Sequence, residues 1–203
     1  MSFSLFQTKR PEQKFWDWFL RNQRSLFHFE KDQETVFREL AATMARVDGH
    51  LRFEFGPVTD GKREFVISAG GIKDAFPAVL SLASAAPPLD LWTVTPFRPR
   101  RTDISSVQIG PFTVDPKDVM FTMTPNDHMV DITLYFGATM HYDRELHGHI
   151  GFLLLDESLG EFDVEMLVGM VDFVPATVPS VHTKYPLRDL PKMFDELVKK
   201  ISN

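Results

Sequence analysis

Apolar residues recur at helical spacing twice near the start of the chain, and then the period shortens to strict alternation. Phe15, Trp18, Phe19 and Asn22 share a stripe with Trp16 and Leu20 beside it, and Pro11 stands where a first-turn proline belongs. This predicts a short helix with a heavy aromatic face. Asp32 offers an N-cap to a second helix carrying Val36, Phe37, Leu40, Ala41, Met44 and Val47, with Gly49 as its stop. Beyond it Leu51, Phe53 and Phe55 alternate with Arg52 and Glu54, and a turn region at Pro57 and Asp60-Gly61 leads into a second strand over 64–69.

The segment 73–85 returns to helical spacing through Phe76, Val79, Leu80 and Ala83, and Pro87-Pro88 ends it. Residues 91–97 are strand-like, with Pro96 placing that end at a sheet edge because it cannot donate a ladder hydrogen bond. An irregular stretch, 98–118, contains a short strand at 107–109. Two further strands, 119–124 and 129–136, flank the polar turn Pro125-Asn126-Asp127-His128. Asp143 caps a helix running to Ser158, the segment 161–173 reads as extended, and 187–201 closes the chain with Leu190, Phe194, Leu197 and Ile201 on one helical face.

The order is therefore α-α, then β-β-α-β twice, then α. It predicts an α+β fold with a mainly antiparallel sheet built from two β-β-α-β units, a ferredoxin-like duplication with helices packed mostly on one face. The expected organisation is a single domain over 1–203: N-terminal helices in 1–49, a first unit in 51–99, a second in 119–175 and a C-terminal helix in 187–201. Phe53 precedes Pro57, and Phe121 precedes Pro125, by the same four residues; the closing strands end in Phe97-Arg98-Pro99 and Phe173-Val174-Pro175. Neither unit alone has enough helical cover, so the two are expected to share one continuous sheet and one core. Strand parity buries Phe53, Phe55, Phe121, Met123, Ile132 and Leu134. It turns Arg52, Glu54, Thr122, Thr124, Asp131, Thr133 and Tyr135 to the opposite face. That open face is either a plain solvated surface or the place for a ligand or a second subunit, a possible homodimer.

Composition narrows the class. A chain of 203 residues with 43% hydrophobic and 25% charged residues has the make-up of a globular protein rather than a disordered or fibrous one. Phe outnumbers Tyr and Trp together, 19 against 3 and 3, which favours rings that bury without a hydrogen-bond partner. A formal charge of −6 argues against a general nucleic-acid binder. The absence of cysteine excludes disulfide scaffolds, thiolate metal sites and thiol catalysis. Residues 1–13 lack the charged start and apolar core of a secretory signal, and the apolar run 150–155 is far short of a membrane span, so a cytoplasmic location is expected.

Candidate chemistry is sparse. His141, Asp143, His147 and His149 concentrate metal-ligating groups in nine residues, yet His147 and His149 stand on different sides of a helix, so the set does not converge as an i, i+4 pair would. Arg98, Arg100 and Arg101 lie in a proline-bounded loop and would grip a phosphate or carboxylate if they converged. Glu161, Asp163 and Glu165 would share one face of an extended segment, where edge protection explains them better than cation binding. Ala69-Gly70-Gly71 follows a strand without a phosphate-loop motif, Gly148 to Gly151 fits close helix packing, and no G-x-S-x-G elbow is present. The Phe15-Trp16-x-Trp18-Phe19 stripe is read as core before partner anchor. No cofactor is implied.

The phrases FWDWFL with LFHFE, GKREFVISAGGIKDAFPAV and LLLDESLGEFD resemble a functionally uncharacterised bacterial family, a domain of unknown function, over most of the chain. The resemblance implies a standalone bacterial cytosolic α+β protein and supplies no activity or site. The expected function is a non-catalytic binding, interaction or regulatory domain acting through the open sheet face or the arginine loop on an unknown protein or small molecule. The alternative is a metal-assisted hydrolase or transferase on the His141 to His149 cluster.

Overall fold

The computed structural model describes residues 9–137 and 143–202. The chain divides into two compact units, one ending at Phe97 and the other beginning at Arg98.

The first unit opens with α1 (Pro11–Phe27), started by Pro11 and by the Gln13 side chain, which accepts the Arg10 N–H at 3.1 Å. In α2 (Gln33–Met44) the Asp32 carboxylate accepts the Thr35 N–H at 3.4 Å. Strands β1 (Arg52–Thr59) and β2 (Lys62–Ser68) form an antiparallel hairpin. Its turn needs left-handed backbone at both central residues, and Asp60 (φ 51°) and Gly61 (φ 78°) supply it. Helix α3 (Phe76–Ser84) then carries the chain back to β3 (Trp92–Pro96), which runs parallel to β2. The sheet order is β1-β2-β3.

Aromatic residues fill this unit's core. Phe15, Trp16 and Phe19 of α1 are buried with Phe65 and Trp92 of the sheet, and Trp18 packs partly buried against them, so the FWxWF stripe is core. Phe15 stacks on Phe65 with ring centroids 6.2 Å apart, and the buried Trp16 indole N–H is satisfied by the Leu82 carbonyl at 2.8 Å.

The second unit begins with the small hairpin β4 (Val107–Ile109) and β5 (Phe112–Val114). Strands β6 (Val119–Asn126) and β7 (Met129–Phe136) pair antiparallel. Two consecutive helices follow, α4 (Arg144–Leu159) and α5 (Glu161–Leu167), then β8 (Val168–Pro175) parallel to β7. A two-residue strand β9 (Tyr185–Pro186) pairs with β6 and leads to α6 (Leu190–Ile201). The order is β8-β7-β6-β9. Phe121, Ile132 and Leu134 bury one sheet face against Ile150, Leu154, Leu190 and Phe194. The α4 backbone comes so close to the sheet that a Cβ at Gly151 would occupy the place of the Phe173 ring.

The α+β class and both hairpins stand as the sequence predicts. The mainly antiparallel, continuous sheet does not. Each larger sheet is mixed, with β2–β3 and β7–β8 parallel, because the intervening helix crosses over and returns the strand alongside its predecessor. Among the described residues the strands hydrogen-bond in three separate sheets. Each of the two larger ones has helical cover of its own, from α1 to α3 in one unit and from α4 to α6 in the other.

Residues 161–173 are also not one extended segment. The spacing of Phe162, Val164, Met166 and Val168 fits two periods, and the helical one holds over the first seven residues. Glu161 and Val164 face inward while Phe162 and Met166, one turn apart, stay exposed. Glu161, Asp163 and Glu165 are therefore helical residues. The free edge of β8 is protected differently: the Asp172 carboxylate accepts the adjacent Phe173 N–H at 2.9 Å, and Pro175 has no N–H to offer. Among the described residues no helix is long and apolar enough to cross a membrane.

Candidate functional site

The face of the second unit's sheet turned away from α4 and α6 holds the clearest site. Strand alternation brings Thr122 and Thr124 from β6 beside Asp131, Thr133 and Tyr135 from β7, with Thr122 paired to Thr133 and Thr124 to Asp131. Five of the seven residues expected on an open face therefore share one floor. Met170 and Asp172 continue it onto β8, and Pro179, Ser180, Val181 and His182 wall it, enclosing a groove of about 360 Å³. Arg52 and Glu54 lie on the other unit's sheet, where the Arg52 guanidinium donates to the Gly49 and Leu51 carbonyls at 3.1 and 3.0 Å.

The wall is built by the segment after β8. Lys184 Nζ donates to the carbonyls of Ala176 at 2.9 Å and Val178 at 2.7 Å, and it sits 3.9 Å from the centre of the Tyr135 ring. One ammonium thus closes the loop upon itself and fastens it to the floor through a cation–π contact. The Val178 N–H reaches the Pro175 carbonyl at 3.0 Å, and the Ser180 hydroxyl accepts the His182 N–H at 3.0 Å. At the rim Val181 is 96% exposed and Met170 69%.

The groove combines hydroxyls, two carboxylates and an apolar lip. Asp131 uses one oxygen to accept the Met170 N–H at 2.7 Å and meets the Asn126 amide at 3.2 Å. This fixes the carboxylate in place. The lining carries two carboxylates and no lysine or arginine, and the one neighbouring ammonium, Lys184, is held on Tyr135 and two carbonyls, so the Asp131 and Asp172 part of the groove suits a cationic or hydrogen-bond-donating ligand. Sequence parity locates the floor; it misses Met170, Asp172 and the wall. The signal for the wall is the spacing of Pro175, Pro179 and Pro186 around Lys184, a proline-stiffened loop long enough to fold back.

The arginine loop does other work. Arg98 places a guanidinium nitrogen 3.0 Å from Asp156 Oδ2, while its backbone N–H donates to Glu161 Oε2 at 3.0 Å and its carbonyl accepts the Glu161 N–H at 2.9 Å. Arg100 donates to the Leu159 carbonyl at 2.6 Å, to Asp163 at 2.8 Å and to Asp195 at 3.0 Å. The Arg101 N–H donates to the Glu157 carbonyl at 2.8 Å. In place of an anion site, Arg98 and Arg100 staple the α4–α5 junction and α6 to the chain entering the unit. Asp195 and Asp163 hold the Arg100 guanidinium charged more firmly than usual. Burial pushes the Asp156 carboxyl up to about 7 in spite of Arg98, with Glu161 adding to the rise.

Among the described residues the histidine segment brings no cluster together. His141 lies outside the described residues. Asp143 is the N-cap of α4, accepting the Leu146 N–H at 2.8 Å. His147 is buried, its Nδ1 2.7 Å from the Asp143 carbonyl and its ring edge-on to Phe136, whereas His149 is exposed. Among the described residues no three His, Asp or Glu side chains are grouped to hold a metal ion. Comparison of the chain with protein-family models, with curated proteins and with solved structures finds no match in any of the three.

Proposed function

We propose that the protein is a non-catalytic binding module, regulatory or accessory in role, whose site is the groove on the β6-β7-β8 face. One observation carries this reading: the 176–184 loop is fastened over a polar sheet face by Lys184, leaving a walled groove with an apolar lip rather than a bare solvated surface. The occupant that fits is a short peptide or small molecule with a cationic group against Asp131 and Asp172, hydroxyl-bonding groups over the threonines, and an apolar flank on Met170 and Val181. A protruding ligand suits the walled floor better than the flat face of a second copy.

The same reading includes the family resemblance, a bacterial and cytoplasmic setting, and an origin of the two units by duplication. The duplication is supported by shared connectivity and by a register that matches Pro96 with Pro175, three residues away from the match of Phe97-Arg98-Pro99 with Phe173-Val174-Pro175. Each unit is a hairpin, a helical crossover and a parallel return. Ile67 opposes Pro96 and Phe136 opposes Pro175, and the next N–H, of Phe97 or Ala176, returns to the same Ile67 or Phe136 carbonyl at 2.8 or 2.7 Å.

A thermal-shift screen tests the binding reading with amines, guanidines, amino acids, short peptides, nucleotides, inorganic anions and divalent metals. A ligand at 100 times its Kd adds about 2.7 kcal/mol to the stability of the state that binds it. The expected result is stabilisation by an amine- or guanidine-bearing compound that disappears in Thr133→Arg, which fills the groove with its own cation. Turnover of any compound, or stabilisation that Thr133→Arg leaves intact, overturns it.

A further inference from the structure

A second groove lies in the first unit, between α1 and α2, and its chemistry is opposite to that of the sheet face. It has a volume of about 380 Å³ and is lined by Lys14, Trp18, Arg21, Thr43 and Arg46 over Pro11 and Phe15. There is no carboxylate among these residues. The two acids of α1 are occupied elsewhere: Glu12 accepts the Ser81 hydroxyl at 2.7 Å, and Asp17 pairs with Lys9. Lys14, Arg21 and Arg46 are exposed and, among the described residues, make no ion pair with a carboxylate.

The concentration of unanswered positive charge is local. Residues 9–47 hold eight Lys and Arg against six Asp and Glu, in a chain whose net charge is −6. Trp18 adds a second irregularity. Trp16 and Trp92 are buried in the aromatic core, while Trp18, on the same helix as Trp16, leaves part of its indole on the groove. Part of the indole thus stands as an apolar surface among three cations that no carboxylate in the groove answers.

We infer that this groove receives an acidic peptide segment of a partner protein, with an apolar side chain set between carboxylates. Helical spacing gives the pattern. Lys14, Trp18 and Arg21 follow at i, i+4 and i+7 on one face of α1, so Lys14 and Arg21 stand about 10.5 Å apart along the axis with the indole between them. That is the reach of about three residues of extended chain. The ligand therefore presents acid, apolar group and acid in order, with Arg46, just past the end of α2, meeting it from the other side. A single phosphate is a poorer fit, because the cations are spread on exposed side chains along more than one turn of α1 and at the end of α2.

The inference is independent of the sheet-face site. Fluorescence anisotropy on the full chain tests it with a labelled peptide of sequence Asp-Glu-Phe-Asp-Glu and its neutral counterpart Asn-Gln-Phe-Asn-Gln. The expected result is salt-sensitive binding of the acidic peptide at least tenfold tighter than that of the neutral one. Lys14→Gln/Arg21→Gln should weaken it at least tenfold and Trp18→Ala at least fivefold, with unchanged circular dichroism. Lys31→Gln, outside the groove, should leave it unaltered. Equal binding of the two peptides, or retention by Lys14→Gln/Arg21→Gln, overturns the inference. So does preferential binding of single-stranded DNA or of phosphatidylserine vesicles with the acidic peptide silent. If either substitution disrupts folding, competition of the acidic peptide by free poly-glutamate on the unaltered protein decides the point: no competition overturns it.

Discussion

Asp156 is a buried carboxyl whose partner, Arg98, does not fully compensate its desolvation, and so it titrates with the fold. With its pKa raised from 3.8 to about 7 on folding, the folded state keeps a proton that the unfolded chain releases. Its contribution is complete below the unfolded value and is lost as pH rises through the folded one. Within that window stability falls by at most about 1.4 kcal/mol per pH unit from this group. Glu12, Glu30 and Asp48, whose carboxyls are held low by hydrogen bonds, act in the opposite sense and at more acid pH. Urea denaturation at pH 5 and pH 7 should show a fall in stability that is clearly smaller in Asp156→Asn; an equal fall would remove Asp156 as its source. Nearby, Gly160 holds φ 84° and ψ 139°, a conformation almost confined to glycine, with the Arg100 backbone N 3.5 Å from where a Cβ would stand. Gly160→Ala should cost about 1–3 kcal/mol. Gly49→Ala, at a position with open space and ordinary backbone, should be close to neutral by the same measurement.

Among the elements, those with their own start and stop signals were legible in the sequence. Pro11, Asp32 and Asp143 each begin the helix they predict, and the hairpins turn at Asp60-Gly61 and at Asp127. What escaped was set by tertiary contact. Val47 has helical spacing but α2 stops at Met44. Residues 161–167 satisfy two periods at once, and the burial of Glu161 and Val164 against their own unit selects the helix. The groove divides in the same way. Its floor follows from strand parity, whereas its wall depends on a lysine reaching back eight residues to Ala176, which no periodicity encodes. Lys184→Met keeps an apolar stem beside Tyr135 but loses both carbonyl bonds. Hydrogen exchange should then quicken at least tenfold in the amides of 176–183, with β6 and β7 unchanged. Equal protection of that loop in the variant would show that Lys184 does not hold it.

For the whole molecule, the consequential difference from the sequence reading is the number of cores. Too little helical cover within each β-β-α-β unit predicts one shared core, because that count leaves out the helices before the first unit and after the second, which cover one sheet each. In the structure Phe15, Phe19, Phe65 and Trp92 gather in one cluster drawn from residues before Arg98, and Phe121, Phe136 and Phe194 in another drawn from residues after it. Each unit has about 100 residues and its own sheet with helices upon it, a size at which a single chain buries enough surface to fold alone. Residues 98–203 expressed by themselves should therefore unfold cooperatively in urea and give dispersed amide resonances. The Arg98 and Arg100 staples lie wholly within that fragment, so Arg100→Ala should destabilise the fragment and the full chain by similar amounts, on the order of 1–3 kcal/mol for charge-assisted bonds to partly buried carboxylates. A fragment with collapsed resonances and a non-cooperative transition would show that the two clusters, separate in composition, are one unit in energy.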